Sequence, residues 1–255
     1  MTRGDGAPVR EGFAHAGERE VGVDSGGVEA QAALHRREDA GQRQTVCAAT
    51  SSDLMTWTKV ENLPVVAADP RWYKTLQGGF KNEPFRDPWV FKMAGETGWT
   101  MLVTSELKDS VHPRQRAAMA MAKSDDLINW KLLPATSQPD QGFAETEVFQ
   151  YEVVDGVPIL LFCTAGPNIS DERQAEGELG GVYSLPVRDD LEDINFEHAT
   201  LFPRENIYAS RLIQDVDGGW NLIAFINYVD GKFVGELCDP IPVTADPILG
   251  LVPKA

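Results

Sequence analysis

From residue 45 onward, apolar and polar positions follow a strand pattern: short runs rich in β-branched and aromatic residues, broken by Asp-Gly and Gly-Gly. Sustained 3.6-residue periodicity is almost absent, so the pattern predicts an all-β chain. Three hairpins stand out. Residues 89–93 return through 95–98 to 99–104, residues 148–154 return through Asp155-Gly156 to 157–163, and residues 211–216 return through Asp217-Gly218-Gly219 to 220–226. Asp-Gly between two apolar runs supplies the positive φ angles that a tight hairpin turn demands.

The hairpins recur. The residues just before them, Asp87, Glu147 and Tyr208, are 60 and then 61 positions apart. A second echo lies between them: Ser52-Asp53-Leu54-Met55-Thr56-Trp57 reappears 73 residues on as Asp125-Asp126-Leu127-Ile128-Asn129-Trp130, with a weaker copy at Asp190-Leu191 followed by Phe196. Each unit reads as a hairpin, a third strand such as 117–123, an Asp-Leu turn, and a fourth strand opened by an aromatic residue. Four strands repeated about every 60 residues is the sequence habit of a β-propeller blade. The chain of 255 residues holds four clear units. A fifth blade requires the N-terminus or the C-terminal strands to complete it, and a β-sandwich with similar hairpins is the competing architecture.

Residues 1–44 differ from the domain expected over 45–255. They carry eight glycines and one aromatic residue, Phe13, whereas all six Trp and all five Tyr lie after them. A flexible tail, a displaced start and a frame-shifted first unit are all open readings of this segment. It contains no apolar stretch of the secretory kind, and the expected location is cytoplasmic. Cys47, Cys163 and Cys238 are widely spaced, with no neighbouring Cys or His to build a zinc site, and read as reduced thiols. With 39 acidic against 23 basic side chains the formal net charge is −16, which repels phosphate backbones and anionic lipid. Nucleic acid and membrane are therefore not expected as partners; a small neutral carbohydrate is compatible.

In a propeller the first strand of each blade lines the central channel, so periodic first-strand positions converge. Asp87, Glu147 and Tyr208 form such a set, with Arg86 and Glu145 beside them. Two carboxylates facing one cavity are what glycosidic cleavage needs, one protonating the leaving oxygen and another supporting the oxocarbenium-like centre. Crowded like charges in a desolvated channel raise the pKa of one of them. Taken singly, each has a plainer account: Asp87 as a turn residue before Pro88, Arg86 as a surface ion pair, Glu145 and Glu147 as a solvated strand face, Tyr208 as a rim aromatic.

Phe85-Arg86-Asp87-Pro88 followed by Trp-Val-Phe resembles the Arg-Asp-Pro motif of glycoside hydrolase family 32, the β-fructosidases of clan J. Ser51-Ser52-Asp53-Leu54 with Trp57 is similar to its Ser-x-Asp-Leu blade signature. Glu147-Val148-Phe149-Gln150 is similar to its acid/base motif, with Phe149 where Pro is usual, and Tyr208-Ala209-Ser210 to a later-blade Tyr-Ala-Pro motif. The resemblance covers about residues 45–245. It implies a five-bladed β-propeller with an incomplete first blade, hydrolysis of fructosyl bonds, Glu147 as general acid/base and Asp87 as transition-state stabiliser. Arg86, Glu145 and Tyr208 would contact substrate, and no metal or organic cofactor is implied.

One family feature lacks a counterpart. The nucleophilic Asp of a first-blade Trp-x-x-Asp-Pro-like motif would fall near residue 27, where Asp24 is the nearest acid but has no aromatic neighbours. Asp69-Pro70 has the right dipeptide only 18 residues before Asp87. A non-catalytic carbohydrate-binding propeller is therefore the alternative of a different class. An inverting or phosphorolytic relative is a third, for which His112, Arg114 and Arg116 are the one basic cluster.

Overall fold

The structure, a computed structural model, describes residues 42–61 and 65–254 with their side chains, and the backbone of 21–22 and 30–38. Asp24 and most of the N-terminal segment lie outside the described residues.

Four antiparallel sheets follow one another along the chain. The first contains β1 (Val21–Gly22), β2 (Ala30–Glu38), β3 (Arg43–Ser51) and β4 (Thr58–Lys59) in sequence order. The second repeats this order with β5 (Phe85–Phe91), β6 (Trp99–Glu106), β7 (Ala117–Ser124) and β8 (Lys131–Leu132). The third uses β9 (Glu147–Val154), β10 (Val157–Thr164), β11 (Gly181–Pro186) and β12 (Thr200–Leu201). The fourth is built from β13 (Ile207–Gln214), β14 (Trp220–Val229), β16 (Ile241–Asp246) and β17 (Gly250–Pro253), and β15 (Lys232–Leu237) also pairs with β14. These are the meandering blades that the spacing predicts. Two departures are seen: β15 is an additional strand, and β12 begins after the Phe196–His198 3-10 turn rather than at the aromatic residue itself.

The continuous apolar runs follow from stacking blades face to face. In β7, Met119 and Met121 enter the core between the second and third blades, while Ala118, Ala120 and Ala122 enter the core between the first and second. In β10, Leu160 and Phe162 face the second blade while Ile159, Leu161 and Cys163 face the fourth. A strand with a blade on each side has two buried faces and loses the polar alternation of a half-exposed strand. β14 keeps a mixed burial pattern and β15 is exposed throughout, so the fourth blade is far less covered.

The Asp-Leu turns are built locally. Ser51 and Ser124 hydroxyls accept the amides of Leu54 and Leu127 at 2.8 and 2.9 Å, and Asp53 and Asp126 carboxylates accept the two amides that follow. Leu54 and Leu127 sit at φ 60° and 64°, a left-handed conformation that these side-chain hydrogen bonds sustain. The third copy, at Leu191 with φ 53°, replaces the serine by Arg188, which pairs with Asp190. All three cysteines are free and buried. Among the described residues no helix is long and apolar enough to cross a membrane.

Candidate functional site

The inner strands of the second, third and fourth blades each carry a β-bulge near their start. The ladder slips between Arg86 and Trp89 in β5, opposite Leu161 to Cys163 in β9, and between Tyr208 and Arg211 in β13. A left-handed residue sits in each bulge: Asp87 at φ 53°, Val148 at 58° and Ala209 at 48°. These three are 61 residues apart each time, so the structurally equivalent set is Asp87, Val148 and Ala209. The register inferred from the hairpins is thus one residue off for Asp87, whose counterpart in the next blade follows Glu147. Arg86, Glu147 and Tyr208, the residues preceding each bulge, are the true equivalents.

Those three side chains meet. Arg86 Nη2 donates to Glu147 Oε1, and the Tyr208 hydroxyl donates to Glu147 Oε2. The same guanidinium nitrogen lies 2.6 Å from Glu145 Oε1, Nη1 donates to Gln44 Oε1 at 3.1 Å, and Nε is 3.4 Å from Asp87 Oδ2. Glu145 and Glu147, two positions apart, share one side of their segment, as strand alternation predicts. Asp87, Glu145 and Glu147 are therefore brought together around the Arg86 guanidinium, with Tyr208 bonded to Glu147, and Asp87 and Glu147 face a common environment. The ion-paired side chains of Arg86, Glu145 and Glu147 are only 12%, 20% and 19% exposed.

Asp87 differs from the others in depth. It is 2% exposed and accepts a hydrogen bond from Thr104 Oγ1 at 3.4 Å. Burial pushes its carboxyl up, helped by the charges of Glu147 and Glu145 and opposed by Arg86 and Arg211, to about 7. Burial likewise raises Glu145, against the attraction of Arg86. In Glu147 the order reverses: burial pushes up, but the Arg86 charge and the hydrogen bonds from Arg86 and Tyr208 outweigh it and hold the group below its ordinary value. Burial and the Glu147 charge push the Tyr208 phenol upward, so it stays a donor. The site therefore pushes Asp87 and Glu145 upward and holds Glu147 down, separating carboxyls that sit side by side.

The Val148 bulge is clamped from both neighbouring blades. Its amide donates to Thr104 Oγ1 at 3.3 Å, and its carbonyl accepts from Arg211 Nη1 at 3.1 Å. A β-branched residue at positive φ stores about 1–3 kcal/mol of backbone strain, which the two bonds offset. Gln44, Thr104 and Arg211 were not singled out in the sequence. Only Arg211 carried a signal, lying one blade interval after Gln150.

The other sequence candidates lie in structural roles. The Asp69 carboxylate is held by Arg71 at 2.6 Å, and the Asp69 carbonyl closes the turn to Trp72 and Tyr73. Arg114 bonds Asp171 and the Pro167 carbonyl, Arg116 bonds the Leu107 carbonyl, and Asp140 caps the backbone amides of Val111 and His112. These bonds run to different partners and form no phosphate cradle. Among the described residues no group of His, Cys, Asp and Glu is arranged to hold a metal ion; the site carboxylates converge on Arg86 instead.

A family model described as Glycosyl hydrolases family 32 N-terminal domain matches residues 29–234. The chain belongs to glycosyl hydrolase family 32. Solved family-32 and related structures share its fold, a five-bladed β-propeller of which four sheets are described in this chain. The beta-fructofuranosidase of Bombyx mori in complex with sucrose is 18% identical, with a TM-score of 0.65, 88% of this chain covered and 47% of that one. The inulosucrase of Halalkalicoccus jeotgali bound to kestose is 17% identical at TM-score 0.65, covering 88% and 67%. The fructan 1-exohydrolase IIa of Cichorium intybus in complex with 1-kestose is 14% identical at TM-score 0.59, covering 88% and 44%. The family-32 chain thus spans about half the length of the first of these relatives. No curated protein matches it by sequence.

Proposed function

We propose that this family-32 chain is a β-fructosidase-type glycoside hydrolase, cleaving O-fructosyl bonds with Glu147 as general acid/base. The observation that carries this reading is the hydrogen-bonded trio Arg86, Glu147 and Tyr208 at equivalent positions of three consecutive blades. Glu147 protonates the glycosidic oxygen as its bond to the anomeric carbon breaks. The incoming water adds to that carbon and returns a proton to Glu147. Arg86 and Tyr208 set when this happens. While they donate to Glu147 it stays ionised; sugar hydroxyls that engage them withdraw those bonds and raise its proton affinity. Glu145 lies beside the same guanidinium and contacts the substrate there. Asp87, 2% exposed and 3.4 Å from Arg86 Nε, holds that guanidinium in place and supports the transition state with it.

A second reading, carbohydrate binding without turnover, is favoured by one observation: among the described residues the first blade brings Gln44, not a carboxylate, to the cluster. Retaining cleavage needs a nucleophilic carboxylate about 5–5.5 Å from the acid/base. Sucrose hydrolysis by the wild type, reduced roughly 10²-fold or more by Glu147→Gln, is the expected result. Turnover that survives the substitution removes Glu147 from the role, and calorimetric sucrose binding without turnover selects the second reading. The buried, free thiols suit a reducing compartment, and we assign the protein to the cytoplasm.

A further inference from the structure

We propose a second neutral-sugar site at the opposite end of the blades from Arg86 and Glu147. The candidate catalytic residues open the inner strands; of two adjoining cavities further along them, one starts at mid-strand Trp89 and Arg211 and the other lies where the strands end and turn back. One, of about 470 Å³, is bounded by Trp89, Arg211 and Ile213; the other, of about 720 Å³, by Phe91, Tyr151 and Asp189. Glu152, Gln214 and Trp220 line both, so the indole of Trp220 borders one continuous depression fed by three blades. Volumes of this size hold a mono- to disaccharide.

The lining chemistry selects the ligand. The cationic side chains Lys92 and Arg211 are matched by the anionic Glu152 and Asp189, so the site has no net charge to recruit an ion. The protein's −16 charge further disfavours anions. What remains is aromatic surface beside hydrogen-bonding groups of both kinds. A sugar offers the complementary pair, an apolar C–H face for Trp220 and hydroxyls for the amide, carboxylate and guanidinium groups around it. The site is framed by rigid parts: Gln150 Nε2 donates to Glu152 at 3.1 Å, and Arg211 stacks over Trp89 at 5.0 Å from the ring centre. Arg86, Glu147 and Tyr208 do not line these cavities; Arg211, whose Nη1 bonds the Val148 carbonyl, connects the wall of the smaller one to the bulge beside Glu147.

Sucrose titration followed by ligand-observed NMR and calorimetry tests it on the full chain, with Trp220→Ala, the exposed Asp189→Ala, and Arg86→Lys, which keeps the charge that the buried carboxyls need. Circular dichroism verifies that each variant folds. Sucrose binding that persists in Arg86→Lys and weakens at least tenfold in Trp220→Ala supports the site. If Trp220→Ala does not fold, a several-fold weakening in Asp189→Ala serves the same purpose. Binding lost in Arg86→Lys and unchanged in Trp220→Ala and Asp189→Ala overturns the second site while leaving the Glu147 reading intact. Binding seen only at the Trp220 end supports the second site and counts against that reading. A wild type that does not bind sucrose refutes the proposal.

Discussion

Replacing Asp87 by Asn isolates the electrostatic cost of the buried carboxyl. Its pKa rises from 3.8 in the unfolded chain to about 7 in the folded one, chiefly through burial. A raised acid binds more protons folded than unfolded, so stability falls as pH climbs from about 4 to 7, and the full cost persists above that window. At about 1.36 kcal/mol for each tenfold change in proton affinity, a rise of that size costs up to about 4 kcal/mol. Asn is nearly isosteric, still accepts from Thr104, and has no charge to desolvate. The two proteins should therefore be similarly stable near pH 4, with the Asn variant gaining steadily to as much as about 4 kcal/mol near pH 8. Urea unfolding monitored by tryptophan fluorescence across that range measures the difference. A gap that stays flat with pH refutes the reasoning. So does an Asn variant that loses ground as pH rises, which would mean that Arg86 and Arg211 outweigh burial and depress the carboxyl.

Tyr208→Phe removes a donor from ionised Glu147, costing roughly 1.5–3 kcal/mol, a loss seen above pH 4.5 and fading below it because the depressed Glu147 stabilises the fold only when ionised. The alkaline limb of sucrose turnover, where the Glu147 proton is lost, should move upward in the same variant; an unmoved limb would dissociate Tyr208 from the Glu147 proton. Phe162→Ala empties the ring cluster in which Phe162 meets Phe143, Tyr183 and Phe196 at 5.5, 5.7 and 5.3 Å, and denaturant melts should show a loss of about 3–5 kcal/mol. Gly180→Ala would place a methyl 2.3 Å from the Gly166 amide nitrogen, so thermal unfolding should register about 1–3 kcal/mol of destabilisation; a neutral result would mean that the two loops can separate freely.

Three acidic side chains crowd on Arg86. Burial works against the Arg86 charge, yet Glu145, Glu147 and Asp87 together outweigh it and hold the guanidinium protonated. Taking the cation away would leave several buried acids facing one another, which is far costlier than never having built the cluster.

Periodic features of this protein were legible residue by residue because each arises from short-range physics. The Asp155-Gly156 hairpin, the Ser124-x-Asp126-Leu127 turn and the apolar runs of β7 and β10 need only local φ preferences, side-chain caps and two faces to bury. Their recurrence marked four blades, and the motifs around Arg86, Glu147 and Tyr208 pointed to one meeting place. Tertiary structure decided the rest. The left-handed bulge shifts Asp87 by one position relative to Glu147, and a spacing of 60 or 61 cannot reveal which residue the bulge turns inward. Gln44, Thr104 and Arg211 reach the cluster from other strands and other blades, as only packing can arrange. The order of proton affinities was also set there. Burial is greatest for Asp87 while Arg86 and Tyr208 both donate to Glu147, so of the crowded acids it is Asp87 that is pushed upward and Glu147 that is held below its ordinary value.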